Sequence, residues 1–216
     1  MLGIAKVRTV LIDDHPLFRQ GLAASLRRDP EIDIIGEAGT AEEAVELARQ
    51  TSIDIAILDV LMPSASGLTI AHELVDLQPD CRILALSVID EPGLIADMLR
   101  AGAGGYVLKT QPVDAIVDAI HQVVGGVRYL PPTVSRDAVD AALATGLPAP
   151  LARLTKRERE IFELLIRGYS NGEIATKLFI ALRTVETHRQ RITRKLSARS
   201  VFELQRIAAR YGGLVA

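Results

Sequence analysis

Four polar sites stand where apolar runs end. The pair Asp13-Asp14 follows Val10-Leu11-Ile12, Asp59 follows Ile55-Ala56-Ile57-Leu58, Ser87 follows Ile83-Leu84-Ala85-Leu86, and Lys109 follows Tyr106-Val107-Leu108. If these runs are buried parallel strands, their carboxyl ends gather at one edge and bring three carboxylates, a hydroxyl and an amine into one crevice. A hard cation such as Mg²⁺ takes oxygen ligands and keeps several waters, so Asp13, Asp14 and Asp59 with a phosphate oxygen suffice to hold it. Clustered carboxylates repel one another, and few structural needs account for such crowding, whereas a cation relieves it. In such a crevice Asp59 is the nucleophile on phosphorus, Lys109 neutralises phosphoryl oxygens and Ser87 donates a hydrogen bond. The product is an acyl phosphate.

The elements needed to position these groups follow from periodicity. Strand-like runs at Thr9–Ile12, Ile32–Glu37, Ile53–Leu58, Arg82–Ser87 and Gly105–Leu108 alternate with helical patterns. Leu22 and Leu26 mark the first helix, Ala41–Arg49 the second, and Leu68, His72, Leu74 and Val75 the third; Pro92–Ala101 and Pro112–Val124 complete five. Five βα units imply a doubly wound α/β fold, a flavodoxin-like (βα)5 with a parallel sheet and its site beyond the strands' carboxyl ends.

Beyond Gly125-Gly126 the composition shifts. Residues 126–150 carry Pro131-Pro132, an alanine-rich Arg136–Ala144 suited to a short helix, and Gly146-Leu147-Pro148-Ala149-Pro150, which together read as a semi-rigid linker. Residues 151–216 then read as a small all-α domain. Thr155 followed by Glu158 is a capping box opening a helix over Thr155–Arg167. Asn171–Leu178, a turn at Phe179–Leu182, a basic Thr184–Leu196 and Val201–Arg210 describe a helix-turn-helix with a further closing helix.

Charge divides the same way. Residues 1–130 hold 10 Lys+Arg against 19 Asp+Glu, a net of −9, while residues 151–216 hold 14 against 6, a net of +8. An acidic half joined to a basic half suggests phosphoryl or metal chemistry coupled to nucleic-acid binding. The single cysteine, Cys81, can form no internal disulfide. Lys6 and Arg8 flank too few apolar residues for a signal peptide, and no run approaches the ~20 apolar residues of a membrane span, so a cytoplasmic protein with no membrane partner is expected.

At this point the chain resembles a known family. Asp13-Asp14, Leu58-Asp59-Val60-Leu61-Met62-Pro63, Ser87 and Ala101-Gly102-Ala103-Gly104-Gly105-Tyr106-Val107-Leu108-Lys109 are similar to the receiver domain of two-component response regulators over about residues 6–125. The resemblance implies that Asp59 is phosphorylated from the phosphohistidine of a sensor histidine kinase. It implies Mg²⁺ held by Asp14 and Asp59 directly, by Asp13 through water and by the Leu61 carbonyl. It also implies a switch in which the Ser87 hydroxyl turns toward the phosphoryl group and the Tyr106 ring moves into the space vacated. Leu61 and Ile89, two residues after Asp59 and Ser87, flank the path of a hydrolytic water in such domains; both are apolar, and slow loss of the phosphoryl group is expected.

From Leu154-Thr155-Lys156-Arg157-Glu158 through Asn171-Gly172-Glu173-Ile174-Ala175 to Thr184-Val185-Glu186-Thr187-His188 the chain resembles the LuxR-type helix-turn-helix, and with the receiver the NarL/FixJ class of regulators. At about 100° per residue, Val185, His188, Ile192 and Leu196 share the inner face of Thr184–Leu196, leaving Glu186, Thr187, Gln190 and Arg194 outward. Double-stranded DNA contacts are therefore expected at Arg183, Thr184, Glu186, Thr187, Gln190, Arg191, Arg194 and Lys195. Glu186, where the family often has lysine, can accept from cytosine's exocyclic amine and is repelled by phosphate, which restricts sequence choice. The resemblance further implies a homodimer when phosphorylated. The alternative, a Mg-dependent aspartyl-phosphate phosphohydrolase, lacks the second acid such enzymes place two residues after the nucleophile: His15 follows Asp13 and Leu61 follows Asp59 at that spacing.

Overall fold

The structure is a computed structural model that describes residues 6–62 and 65–210, with backbone alone at 209 and 210. Pro63 of the motif above lies outside the described residues. The chain divides into two compact units, the boundary falling between Ala144 and Thr145.

In the first unit β1 (Val7–Ile12), α1 (Pro16–Leu26), β2 (Ile32–Ala38), α2 (Ala41–Gln50), β3 (Ile55–Asp59), α3 (Gly67–Leu77), β4 (Arg82–Ser87), α4 (Pro92–Arg100), β5 (Ala103–Leu108) and α5 (Val113–Val124) alternate. The sheet is parallel throughout, in the order β2-β1-β3-β4-β5. Its central strands are apolar on both faces because helices cover both: every residue of Ile55–Asp59 is buried, as are Ile83–Ser87 of β4. Leu11, Ile57, Leu84, Leu86, Val107 and Ile120 form part of one core between the sheet and α1 and α5. At ~25 cal/mol per Å² of apolar surface, each such side chain contributes roughly 1.5–3 kcal/mol against leaving it in water.

The stretch expected to be a linker over residues 126–150 departs from that reading. Residues through Ala144 belong to the first unit. β5 is an edge strand, and Tyr129 covers part of its edge: the Tyr106 N–H donates to the Tyr129 carbonyl at 2.9 Å, and Gly105 and Tyr129 form a parallel bridge. Leu130, Val134 and Val139 are buried, α6 (Arg136–Ala144) packs on α4, and the Arg100 guanidinium donates to the Ala142 carbonyl at 2.7 Å. Four-residue α7 (Ala149–Ala152) brings Leu151 into the core of the second unit.

That second unit continues with α8 (Lys156–Ile166), α9 (Asn171–Lys177), α10 (Leu182–Lys195) and α11 (Val201–Arg210). Thr155 and Glu158 form the expected capping box on α8, and Ser170 with Glu173 forms a second on α9. α10 begins two residues before the expected Thr184, because Ala181 at its N-cap makes no side-chain bond that would mark the boundary in sequence. Ile161, Phe162, Ile174, Val185, Ile192 and Leu204 build the core. No helix among the described residues is long and apolar enough to cross a membrane.

Candidate functional site

The strand order makes β1, β3, β4 and β5 consecutive neighbours, so their carboxyl ends lie side by side. Backbone bonds extend the ladders past the strand ends. The Asp13 N–H donates to Ala38, Val60 to Leu86 and Lys109 to Ser87, at 2.8–3.0 Å. Asp13, Asp59 and Ser87 are at most 2% exposed, and Asp14 lies partly buried beside them.

Lys109 is the hub of this cluster. Its Nζ lies 2.7 Å from Asp13 Oδ2 and 2.8 Å from Asp59 Oδ2, with the Phe18 ring centroid 4.7 Å away. Burial alone would lower the Lys109 pKa, but the two carboxylates outweigh it and raise it, so the ammonium stays charged. Burial pushes the Asp59 carboxyl above the usual carboxylate range, with Lys109 and the Leu61 N–H opposing. That N–H donates to Asp59 Oδ1 at 2.9 Å, which fixes the rotation of the carboxylate.

Gly67, which sequence reasoning passed over, sits against this backbone. A Cβ there would meet the Asp59 carbonyl and the Val60 Cα at 2.7 Å, so α3 approaches the site closely only because residue 67 has no side chain. Its absence of a left-handed φ leaves no sequence signal beyond the Ser66-Gly67 helix start. In the sequence His15 shows only as the place where a second acid is missing. The structure turns its ring onto the cluster, Nδ1 lying 3.0 Å from Asp14 Oδ1 and 3.2 Å from Asp13 Oδ1. Ligand atoms of Asp13, Asp14, His15 and Asp59 all lie within 4.8 Å of one another.

Ser87 Oγ accepts from the Ile89 N–H at 3.2 Å, and the Tyr106 hydroxyl donates to the Ile89 carbonyl at 2.7 Å. Tyr106 is fully buried, so its ring already occupies an inward position. Burial, with Asp59 and Asp90 nearby, pushes the Tyr106 phenol up to about 12, although a hydrogen bond with Ser87 opposes this; it remains a donor at neutral pH. Leu61 and Ile89 are each partly exposed beside the crevice.

In the second unit α10 presents Arg183, Thr184, Glu186, Thr187, Gln190, Arg191 and Arg194 to solvent, while Val185 and Ile192 are buried. Lys195, expected as a DNA contact, has an ion-pair partner within its own unit. Its Nζ lies 2.6 Å from Glu158 Oε2, and the Glu158 side chain is 3% exposed, so Lys195 is drawn inward to neutralise a buried carboxylate. His188 is half-buried with no hydrogen-bond partner at Nδ1.

An acidic crevice at the carboxyl edge of a (βα)5 sheet, in one chain with a helix-turn-helix whose second helix is basic, defines a signal-receiving DNA-binding regulator. Residues 9–121 match the response regulator receiver domain, and residues 152–208 match the bacterial regulatory proteins of the luxR family. The chain belongs to the two-component response regulators, in the NarL/FixJ class with a LuxR-type DNA-binding domain. The transcriptional regulatory protein MctR of Rhizobium johnstonii is 36% identical over 96% of this chain and 95% of its own length. The solved structure of response regulator ChrA from a heme-sensing two-component system is 33% identical, with a TM-score of 0.52, covering 99% of this chain and 100% of that one. A structure of two RcsB dimers bound to two parallel DNAs shares the fold at 21% identity, with a TM-score of 0.67 over 95% of this chain and 98% of that one. The phosphohydrolase alternative finds no support in these relationships.

Proposed function

We propose that Asp59 accepts a phosphoryl group from the phosphohistidine of a sensor histidine kinase, and that the resulting acyl phosphate controls binding of α10 to double-stranded DNA. The observation that carries this reading is the convergence of Asp13, Asp59 and Lys109 from three different strand ends, with one ammonium within 2.8 Å of both carboxylates. An Asp59 oxygen attacks phosphorus, the P–N bond to the kinase imidazole breaks, and the imidazole leaves with the electron pair. Lys109 follows the phosphoryl oxygens and keeps its second contact on Asp13. Ser87 turns its hydroxyl from the Ile89 N–H toward the new oxygens, and Tyr106 holds the Ile89 carbonyl meanwhile.

The donor set fits Mg²⁺: three carboxylates crowd one edge, and Asp14 Oδ1 is buried without a hydrogen bond. Asp13, Asp14, Asp59 and the Leu61 carbonyl would hold the ion. When bound, it supplies charge neutralisation of the transferring phosphoryl group. The chain assists its own phosphorylation and acts on no further substrate.

On α10 the exposed Arg183, Arg191 and Arg194 suit phosphate contacts, while Thr184, Glu186, Thr187 and Gln190 suit base edges, Glu186 restricting sequence choice. Binding as a homodimer is consistent with the DNA-bound RcsB dimers of the same fold. DNA as the target makes the cytoplasm the site of action. Selection of DNA by gel shift, with and without acetyl phosphate and Mg²⁺, tests the reading in wild type and Asp59→Asn. The treated wild type should gain affinity and Asp59→Asn should not; equal affinity under all four conditions overturns the switch.

A further inference from the structure

We propose that His15 is a nitrogen ligand at this crevice, giving it a preference for borderline divalent cations such as Co²⁺ beyond what its carboxylates provide. The inference rests on the reading that the crevice holds a divalent cation. Donors about 2.1 Å from a common ion lie about 3.0 Å apart at right angles and about 4.2 Å apart across it. His15 Nδ1 lies 3.0 Å from Asp14 Oδ1, 3.2 Å from Asp13 Oδ1 and 3.9 Å from Asp59 Oδ2, all inside that span. The approach to Asp14 Oδ1 lacks the alignment of a hydrogen bond, since that oxygen is buried with no hydrogen-bond partner.

Local structure directs the ring there. Pro16 opens α1 and confines the preceding residue to extended backbone, and His15 adopts φ −92°, ψ 99°. It stands at the N-cap yet makes no side-chain bond to the helix. Asp13 Oδ1 instead receives the His15 N–H at 2.8 Å, tying residue 15 to the cluster by backbone as well as ring. Lys109 takes Asp13 Oδ2 and Asp59 Oδ2, so an ion on the other side would take Asp14 Oδ1 and the imidazole and share Asp13 Oδ1, which accepts from the His15 N–H and pairs with its Nδ1 at 3.2 Å. The ring is 65% exposed, so water and a phosphoryl oxygen retain access to an ion held beneath it. Carboxylate sets suit Mg²⁺, whereas an imidazole raises affinity for Co²⁺, Ni²⁺ and Zn²⁺ far more than for Mg²⁺.

Calorimetric titration of the full chain with Mg²⁺ and with Co²⁺, in wild type and His15→Gln, tests this. Competition by Mg²⁺ identifies the Co²⁺ bound at the crevice, as distinct from any held elsewhere, for instance at His121, whose ring lies 3.6 Å from Asp29 Oδ2 and 3.8 Å from Glu31 Oε2. Expected is a tenfold or greater loss of crevice Co²⁺ affinity in His15→Gln, with Mg²⁺ affinity within twofold and the visible Co²⁺ spectrum altered. Unchanged Co²⁺ affinity would mean that the ring only hydrogen-bonds, and equal losses for both ions would mean that it acts on the cluster's shape; either result overturns the proposal. A wild type that binds neither ion removes the cation reading itself.

Discussion

Replacing Lys195 with methionine should loosen α10 from α8 by an amount that Glu158 sets. The buried Glu158 carboxylate holds Lys195 at 2.6 Å and receives the Thr155 N–H at 2.8 Å. Burial alone would raise its pKa, but Lys195 and Thr155 outweigh burial and bring it to about 2, against an ordinary 4.5. That depression corresponds to about 3 kcal/mol, trimmed to roughly 2–3 kcal/mol because the Lys195 side chain is a third exposed and solvent screens it. A depressed pKa contributes in full above about pH 4.5 and is lost as pH falls toward 2. Hydrogen exchange of the α10 amides, corrected for intrinsic rates, reads the change in the intact chain. Lys195→Met should speed exchange on the order of 50-fold at pH 7 and much less at pH 3. A cycle with Glu158→Gln should give a coupling of about 2 kcal/mol. Unchanged α10 exchange together with a salt slope of DNA affinity lower by about one would refute this, for Lys195 would then be a phosphate contact.

Two further outcomes follow from the crevice. Leu61→Asn with Ile89→Glu should shorten the acyl-phosphate lifetime, because polar groups at two partly exposed apolar positions can orient an attacking water; decay measured after acetyl phosphate loading and finding no acceleration would refute the role of these residues. Gly67→Ala should cost about 1–3 kcal/mol and reduce Asp59 phosphorylation, since its Cβ would press on the Asp59 and Val60 backbone at 2.7 Å. A melting temperature and a phosphorylation level both equal to wild type would show that α3 can retreat freely.

The crevice was legible because an aspartate, a serine or a lysine at the end of an all-apolar run is a local pattern. The strand order then brings the patterns together, and a parallel βα succession constrains that order strongly. The short helix Arg136–Ala144 was legible, but the docking of Tyr129 on β5 and of α6 on α4 was not. Pro131-Pro132 and the alanines of Arg136–Ala144 look like a spacer until the open edge of β5 and the surface of α4 are present to receive them. The early start of α10 escaped detection for a similar reason, there being no capping side chain at Ala181.

Sequence alone determined the alternation of elements, the two-domain division of charge and the identity of the groups at the strand ends, since each depends on neighbours along the chain. Tertiary structure alone decided where the partners of those groups lie. Lys195 reads as one more basic residue on a DNA-facing helix until a carboxylate 37 residues earlier is buried beneath it. His15 reads as a missing acid until Pro16 and the start of α1 turn its ring over three aspartates. In both cases the deciding contact is between side chains whose distance the chain does not set, and burial gives that contact its strength.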